Sequence, residues 1–256
     1  MNELPELNLK DKVSEREWRS RVDLAAAYRL AVMYGWNDII YTHISVRIPD
    51  TDEYLINAFG LTFDEITASN LVKIDIDGNI IQDDCPFEIN PAGYTIHSAV
   101  HKARHEVICV IHNHQIDAIA VASQKFGLLP LSQYSAFALA SLSYHRYEGL
   151  AVDSNEVKRI QDDLDANNFM LLPNHGALTC GVSVGDAFMH MYDLIQACKI
   201  QCKAVAFGTE FIELDESVIE GIKAQADIVH TGTTGGQKAW PAMLRLVKRT
   251  YPDFDQ

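Results

Sequence analysis

The sequence lacks the features that mark membrane and secreted proteins. Nowhere do about eighteen apolar residues follow one another, the length that a membrane-spanning helix needs. Residues 1–12 are polar and acidic, unlike the apolar centre of a signal peptide. We therefore predict a cytoplasmic protein that does not enter a membrane.

Cysteine is scarce, and its spacing suits no structural site. The five cysteines lie at positions 85, 109, 180, 198 and 202, an odd number without a Cys-x-x-Cys pair. This pattern argues against both a disulfide framework and a zinc ribbon. We interpret Cys109 as a core residue and Cys198 and Cys202 as packing residues.

Positive charge is scarce as well. The chain has 21 lysines and arginines against 35 aspartates and glutamates, a formal net charge of −14, and no basic stripe interrupts the acidic surface. Nucleic-acid phosphates would be repelled by such a protein. We predict that nucleic acid is not a partner.

The 256 residues, 48% of them hydrophobic, can build a sizeable core, and we predict one domain over 1–256. Strand-like runs at 39–48, 54–58 and 72–76 predict an antiparallel meander. Further strands are predicted at 107–114, at 139–142 and in the run that ends at His175. Helices are predicted from Ser14 to Gly35 and at 94–104, 115–124, 154–164 and 184–207, followed by a glycine-threonine loop at 231–236 and a short helix ending near Tyr251. This order predicts an α/β fold with a mostly antiparallel sheet between helix layers.

Two histidines follow the apolar run 107–111, of which four residues are β-branched. Side chains two apart on a strand point to the same face, so His112 and His114 are expected to project together. Two neutral imidazoles so placed can bind one divalent ion. A lone histidine at a strand end is more often a plain polar residue, but the paired arrangement favours a metal.

His175 is the best candidate for a third ligand. It ends another short apolar run, 169–172, and stands in Asn174-His175-Gly176, where a strand is expected to give way to a turn. Three imidazoles are a ligand set typical of a metal centre with open positions.

Together these residues resemble the class II aldolase and adducin family. The resemblance covers about residues 18–206, with 207–256 as a C-terminal extension, and also includes His97 and the long helix after Gly185. It implies a three-layer αβα sandwich that assembles as a homotetramer with active sites between subunits. It further implies that His112, His114 and His175 hold Zn²⁺, with Mn²⁺ or Fe²⁺ as alternatives.

One departure from the family pattern concerns the catalytic base. Family aldolases place an acidic residue four positions before the first motif histidine, which here is His97, and that position is Gly93. The family serines that bind substrate phosphate fall on Pro91 and Ala92. A glycine cannot abstract a proton, so an ordinary aldolase of phosphorylated sugars is not expected.

Other positions of the resemblance carry weaker expectations. The first phosphate loop of the family falls on Thr42 and His43, and Gly60 remains of the second; we assign His43, Gly60, Gly93 and His97 to substrate binding. Tyr134 matches a tyrosine that donates a proton across a subunit interface. For His97 and Tyr134 a purely structural role is the alternative. His101, His105, His145, His190 and His230 are interpreted as surface or packing residues.

Three functions follow from these observations. The first is a metal-dependent lyase, by aldol-type cleavage or decarboxylation, for a small, unphosphorylated carbonyl or carboxylate substrate. The second is a non-catalytic binding or scaffold domain like the adducin head, with actin as a weakly supported partner because the chain has no adducin-like tail. Non-haem iron oxygenation is a third option, less favoured because it needs a carboxylate ligand.

Overall fold

A seven-stranded sheet forms the centre of the protein, described here by a computed structural model of residues 5, 7–150, 154–230 and 234–256. The strands are β1 (His43–Arg47), β2 (Glu53–Ile56), β3 (Val72–Asp75), β4 (Cys109–Asn113), β5 (Leu142–Tyr144), β6 (Phe169–Leu172) and β7 (Gly176–Gly181). Their order across the sheet is β3-β2-β1-β4-β7-β6-β5. Within this sheet β5 and β6 run parallel and every other neighbouring pair runs antiparallel, as predicted.

Helices connect the strands and follow them. They are α1 (Glu15–Tyr34), α2 (Pro91–Ala103), α3 (Ile116–Ala122), α4 (Gln133–Leu139), α5 (Ser154–Leu164), α6 (Val184–Ala206), α7 (Glu216–His230) and α8 (Gly235–Thr250). The boundaries of α1 follow from local chemistry. The hydroxyl of Ser14 accepts a hydrogen bond from the backbone N–H of Glu17, and Gly35 ends the helix in the left-handed conformation at φ 67°.

The alternation of side chains along β4 shows that helices cover both faces of the sheet. Cys109 and Ile111 belong to the larger core, which includes residues of α1 and α6. Val110 belongs to a second core, together with Ile96 of α2 and Ile160 of α5. Because successive residues of a strand face opposite sides, the sheet lies between two helix layers, and the predicted three-layer αβα sandwich is confirmed.

Several local predictions were wrong. The strand predicted at 39–48 begins only at His43, because residues 38–41 form a tight turn closed by a 2.7 Å hydrogen bond from the N–H of Tyr41 to the carbonyl of Asp38. The strand predicted at 139–142 begins at Leu142, since Leu139 still ends α4. The strand β7 and the helices α4 and α7 were not predicted.

The predicted glycine-threonine loop lies only partly within the described residues. Residues 231–233 are outside them, whereas Thr234 caps α8 by accepting a 3.2 Å hydrogen bond from the N–H of Gln237. Gly235 and Gly236 form the first turn of that helix rather than a loop. The cap explains the difference, because a threonine directly before a helix satisfies one of its free N–H groups.

The helix α8 packs closely against α6 and α1. A Cβ atom added to Gly236 would come within 3.0 Å of the backbone N of Asp186, so the two helices meet almost backbone to backbone. Trp240 lies against Gly185 and donates a 2.8 Å hydrogen bond from Nε1 to Oδ1 of Asp23. The division into a core and a C-terminal extension stays a prediction, but α8 shares the core of the earlier elements.

None of the helices in the described part of the chain has the length and apolar character that crossing a membrane requires.

The contact between α6 and α8 gives a stability prediction. We expect Gly236→Ala to lower the free energy of unfolding by about 1–3 kcal/mol, because the new methyl group would overlap the Asp186 backbone. In Gly221→Ala, within α7, the added Cβ meets just one side-chain atom, at 3.4 Å, and we expect a gain of about 0.5–1 kcal/mol from helix propensity. Urea unfolding measures both, and equal effects of the two variants would contradict this packing.

Candidate metal centre

Three histidines from distant parts of the chain meet at one end of the sheet. The ligand nitrogens of His112, His114 and His175 all lie within 4.8 Å of one another, which confirms that the predicted residues come together. Nε2 of His112 and Nε2 of His114 are 3.2 Å apart. Two nitrogens that bind one tetrahedral ion at about 2.0–2.1 Å stand about 3.3 Å from each other, so this pair already has the spacing of zinc ligands.

The hairpin between β6 and β7 brings His175 to the pair on β4. Its turn needs Asn174 in the left-handed region, at φ 62°, a conformation that asparagine tolerates better than most residues. Two residues later, Gly176 approaches the carbonyl oxygen of Asn113 so closely that an added Cβ would lie within 3.0 Å of this oxygen. The sequence Asn174-His175-Gly176 therefore lets the hairpin end reach the neighbouring strand.

Hydrogen bonds to the far side of two rings fix which nitrogen faces the centre. Nδ1 of His112 donates to the carbonyl of Ala177 at 3.0 Å, because a carbonyl oxygen can only accept. Nδ1 of His114 lies 2.9 Å from a carboxylate oxygen of Asp38. Both rings thus leave Nε2 available, in the arrangement by which proteins orient histidine ligands of metals.

Burial keeps His112 and His175 neutral, which is the form of histidine that can bind a metal. The pKa of His112 lies well below its ordinary value, mainly because burial disfavours the charged ring and then because His175 and His43 are close. Burial and the nearby His114 lower the pKa of His175 to about 4. These two imidazoles are neutral at pH 7, as coordination requires, so the donor set fits a divalent ion such as Zn²⁺.

The predicted substrate-binding residues divide into two groups. His43 stacks on the ring of His112, with centroids 5.3 Å apart and an angle of 27°. His97 follows at 2.9 Å from His43, and a Cβ on Gly93 would lie within 3.0 Å of the His43 ring. Gly60 lies instead in an exposed turn after β2, at φ 101°.

The structure places Tyr134 on α4, where its ring lies 6.1 Å from that of Tyr192 on α6. Within the described residues, the ring of Tyr134 contacts the ring of Tyr192 and not the rings of the three histidines. A catalytic role of Tyr134 stays a prediction.

Sequence reasoning missed three residues beside the centre. Asp38 orients His114, although no spacing pattern links them. The ring of Tyr147 lies 5.7 Å from that of His175. His145, interpreted only as a surface or packing residue, is buried, with Nδ1 2.7 Å from Oδ2 of Asp163. In the structure, the loop before β1 holds Ile39 and Thr42 at positive φ, 53° and 69°.

Such angles are strained for β-branched residues and are found where a site demands them. Here the loop connects Asp38, which contacts His114, to His43, which stacks on His112. The strain therefore accompanies the placement of two side chains beside the three histidines.

The chain matches the family described as Class II Aldolase and Adducin N-terminal domain over residues 22–202. A Pseudomonas aeruginosa protein, provisionally named an aldolase class 2 protein, is 52% identical over 97% of this chain and 96% of its own length. Mouse alpha-adducin is 41% identical over 73% of this chain, which is 26% of that protein. The crystal structure of an aldolase II superfamily protein from Pseudomonas syringae is 48% identical, covers 97% of this chain and 99% of its own, and superposes with a TM-score of 0.90.

The contact between Asp38 and His114 predicts a loss of metal affinity on substitution. We expect Asp38→Asn to weaken zinc binding by about 10- to 100-fold, because a neutral amide oxygen accepts the Nδ1–H bond of His114 more weakly than a carboxylate and polarises the imidazole less. The exposed Asp83 provides the matched control, and Asp83→Asn should leave the affinity unchanged. Competition against a chromophoric chelator measures both dissociation constants. Unchanged binding by Asp38→Asn would remove Asp38 from the site.

Two buried histidines predict how stability depends on pH. Burial lowers the pKa of His97 and of His101 to about 3, whereas in the unfolded chain both titrate near 6.5. Between these values the unfolded state binds more protons than the folded state, so stability falls as the pH is lowered from 6.5 toward 3. Each histidine contributes a slope of about 1.4 kcal/mol per pH unit across that window.

Urea unfolding of the metal-free protein between pH 4.5 and 7 tests this slope. We expect His101→Gln to reduce it by the share of one histidine, while His105→Gln, at an exposed position, leaves it unchanged. Identical slopes in the wild type and His101→Gln would show that His101 is protonated in the folded state.

Proposed function

Because this chain belongs to the class II aldolase and adducin N-terminal domain family, we propose that it is a metal-dependent lyase for a small, unphosphorylated carbonyl or carboxylate compound. The observation that carries the proposal is the convergence of His112, His114 and His175 within 4.8 Å. A domain that needed the fold alone would have no reason to bring three imidazoles from two parts of the chain toward one point.

These histidines would hold Zn²⁺, or alternatively Mn²⁺ or Fe²⁺. When bound, such an ion supplies a Lewis acid that polarises a carbonyl group and stabilises negative charge on its oxygen. The protein's part is to keep Nε2 of His112 and His114 directed at one place, through Ala177 and Asp38. Preorganised ligands of this kind need no rearrangement when charge develops.

The surroundings of Gly93 favour decarboxylation over aldol cleavage. Aldol cleavage needs a base to remove a hydroxyl proton, and the resemblance places that base at position 93. Here the His43 ring fills the space beside Gly93, which leaves no room for a side chain. Decarboxylation requires no prior proton removal, because the electrons of the breaking carbon–carbon bond pass to the adjacent carbonyl.

A homotetramer would complete the site. In this arrangement Tyr134 of one subunit would protonate the product anion at the centre of its neighbour. A phenol can donate that proton only if it is held against the acceptor carbon or oxygen.

An adducin-like binding domain is the second candidate, favoured by the 41% identity to alpha-adducin over 73% of the chain. In that case the metal would be structural or absent, and a cytoskeletal filament such as actin would be the partner. The two functions differ in turnover and in filament binding, so one set of measurements separates them.

The test combines metal content with a substrate panel. We expect about one zinc per chain by elemental analysis, its loss in His114→Ala and its retention in His105→Ala, a histidine outside the cluster. Hydroxy acids, keto acids and aldols, with and without phosphate, are then assayed for carbon–carbon cleavage by the zinc-loaded protein, whose assembly is measured by light scattering. Zinc bound by His114→Ala as tightly as by the wild type would overturn the ligand assignment, and co-sedimentation with filaments without turnover would favour the binding domain.

A further inference from the structure

A small cavity borders His175. Its volume is about 10 Å³, and apolar side chains of α2, α5 and β6 form one part of its wall. The polar part of the wall is formed by four residues, His145, Tyr147, Glu156 and His175. Arg146 also borders the cavity, but its side chain is 86% exposed. Because neither of the other two proposed metal ligands borders it, the cavity lies behind the ring of His175 rather than between the three ligands. A space of this size suits one water molecule.

His145 is held at this cavity by contacts with β6 and α5. Its backbone N–H donates a 3.1 Å hydrogen bond to the carbonyl of Leu171, which extends the pairing of β5 with β6. Its Nδ1 lies 2.7 Å from Oδ2 of Asp163, and because a carboxylate can only accept, Nδ1 carries the hydrogen of this bond. The ring is therefore fixed, and Nε2 is the nitrogen left for another partner.

This second nitrogen of His145 is buried without a hydrogen bond. The residue is 3% exposed, and no donor or acceptor among the described residues satisfies Nε2. Oε1 of Glu156 lies 3.5 Å from it, which is too long for a direct hydrogen bond. Glu156 is itself only 6% exposed. Two buried polar groups at this spacing can be joined through a water molecule that contacts both.

One side of α5 presents both carboxylates to the ring of His145. Glu156 lies in the first turn of α5 and Asp163 follows seven residues later, which places the two acids two turns apart on the same face. Ile160, between them, packs in the core that α5 shares with α2. A rigid helix therefore places one acid near each nitrogen of the imidazole ring.

The ring of His175 needs a partner for the nitrogen that faces away from the metal centre. An imidazole that binds a metal through one nitrogen carries a hydrogen on the other, and proteins generally supply an acceptor for it. The other two proposed ligands have such partners, the Ala177 carbonyl and the Asp38 carboxylate. The ring of His175 contacts three other rings, and within the described residues no protein group forms a hydrogen bond with it. The cavity behind the ring is the place where an acceptor fits.

We propose that one water molecule in this cavity accepts a hydrogen bond from the outer N–H of His175 and donates one to the carboxylate of Glu156, which makes Glu156 and His145 positioning residues for the third proposed ligand. The water contacts Nε2 of His145 with its second hydrogen where that nitrogen is bare, and with its second lone pair where that nitrogen is protonated. The arrangement is therefore the same for either protonation state of His145. The inference rests on the proposed function and deepens it, because His175 gains through water the support that Asp38 gives His114.

The first experiment is a crystal structure of the metal-free protein at a resolution that shows ordered water. We expect one water molecule within about 3.2 Å of three groups, Nε2 of His145, a carboxylate oxygen of Glu156 and a ring nitrogen of His175. Electron density for such a water in the wild type supports the proposal. A cavity without this density, or a water that contacts neither Glu156 nor His175, would overturn it.

The second experiment measures zinc affinity by competition against a chelator. We expect Glu156→Ala to weaken zinc binding by about tenfold, since the water loses the acceptor that orients it toward His175. Glu156→Gln, which keeps a weaker acceptor oxygen, should weaken zinc binding less. The matched control is Asp162→Ala, an acid of the same helix whose side chain is 61% exposed, and it should leave the affinity unchanged.

A spectroscopic measurement separates positioning from a purely structural role. The visible spectrum of the cobalt-loaded protein reports the arrangement of the metal ligands, and we expect it to change in Glu156→Ala and to stay the same in Asp162→Ala. A structural role alone would lower the free energy of unfolding of the metal-free protein, measured in urea, without changing this spectrum. Zinc affinity and a cobalt spectrum like those of the wild type in Glu156→Ala would overturn the positioning role.

These measurements separate the inference from the proposed lyase activity. If the wild type binds zinc but cleaves no substrate, the lyase proposal fails, and the affinities of the Glu156 variants still decide the positioning role. If zinc binds, turnover is seen and Glu156→Ala behaves like the wild type, the lyase proposal stands and the positioning role fails. If the wild type binds no zinc, the ligand assignment fails and the positioning role fails with it.

Discussion

The pairing of β4 with its two neighbours is the constraint on which the rest of the site depends. On one side β1 places His43 opposite His112, and on the other side β7 places Leu178 opposite the same residue. A shift of one residue would turn His112 and His114 to the other face of the sheet, away from α2. The alternating core residues of β4 prevent that shift, since each face buries its own set of apolar side chains.

Around this register the protein buries neutral imidazoles and gives many of their nitrogens a hydrogen-bond partner. A charged ring would be costly in such a buried place, and the pKa values of His43, His97 and His112 are accordingly lowered. Two of the proposed ligands use Nδ1 for an outer hydrogen bond and keep Nε2 free. Hydrogen bonds continue inward from these rings, because the hydroxyl of Ser45 contacts both His97 and His101. The predicted loss of stability at low pH follows from this burial of neutral rings.

Glycine residues allow neighbouring parts of the protein to pack closely at three places. Gly93 makes space for the ring of His43, and Gly176 lets the hairpin that carries His175 approach the carbonyl of Asn113. Gly236 does the same for α8 against α6, far from the histidines in the chain. At position 93 the absence of a side chain leaves the space to the imidazole of His43.

The sequence by itself determined the strand character of 107–111, the common face of His112 and His114, the place of His175 at a turn and the order of most elements, because these depend on local periodicity. Together with the family resemblance, it also indicated that position 93 lacks the acidic residue that family aldolases have there. Only the tertiary structure decided that Asp38 orients His114, that His43 fills the space at Gly93 and that Ser45 joins two helix histidines. Those contacts join residues at least 50 positions apart. They depend on strand register and on how a helix lies against a sheet, which no local pattern of side chains encodes.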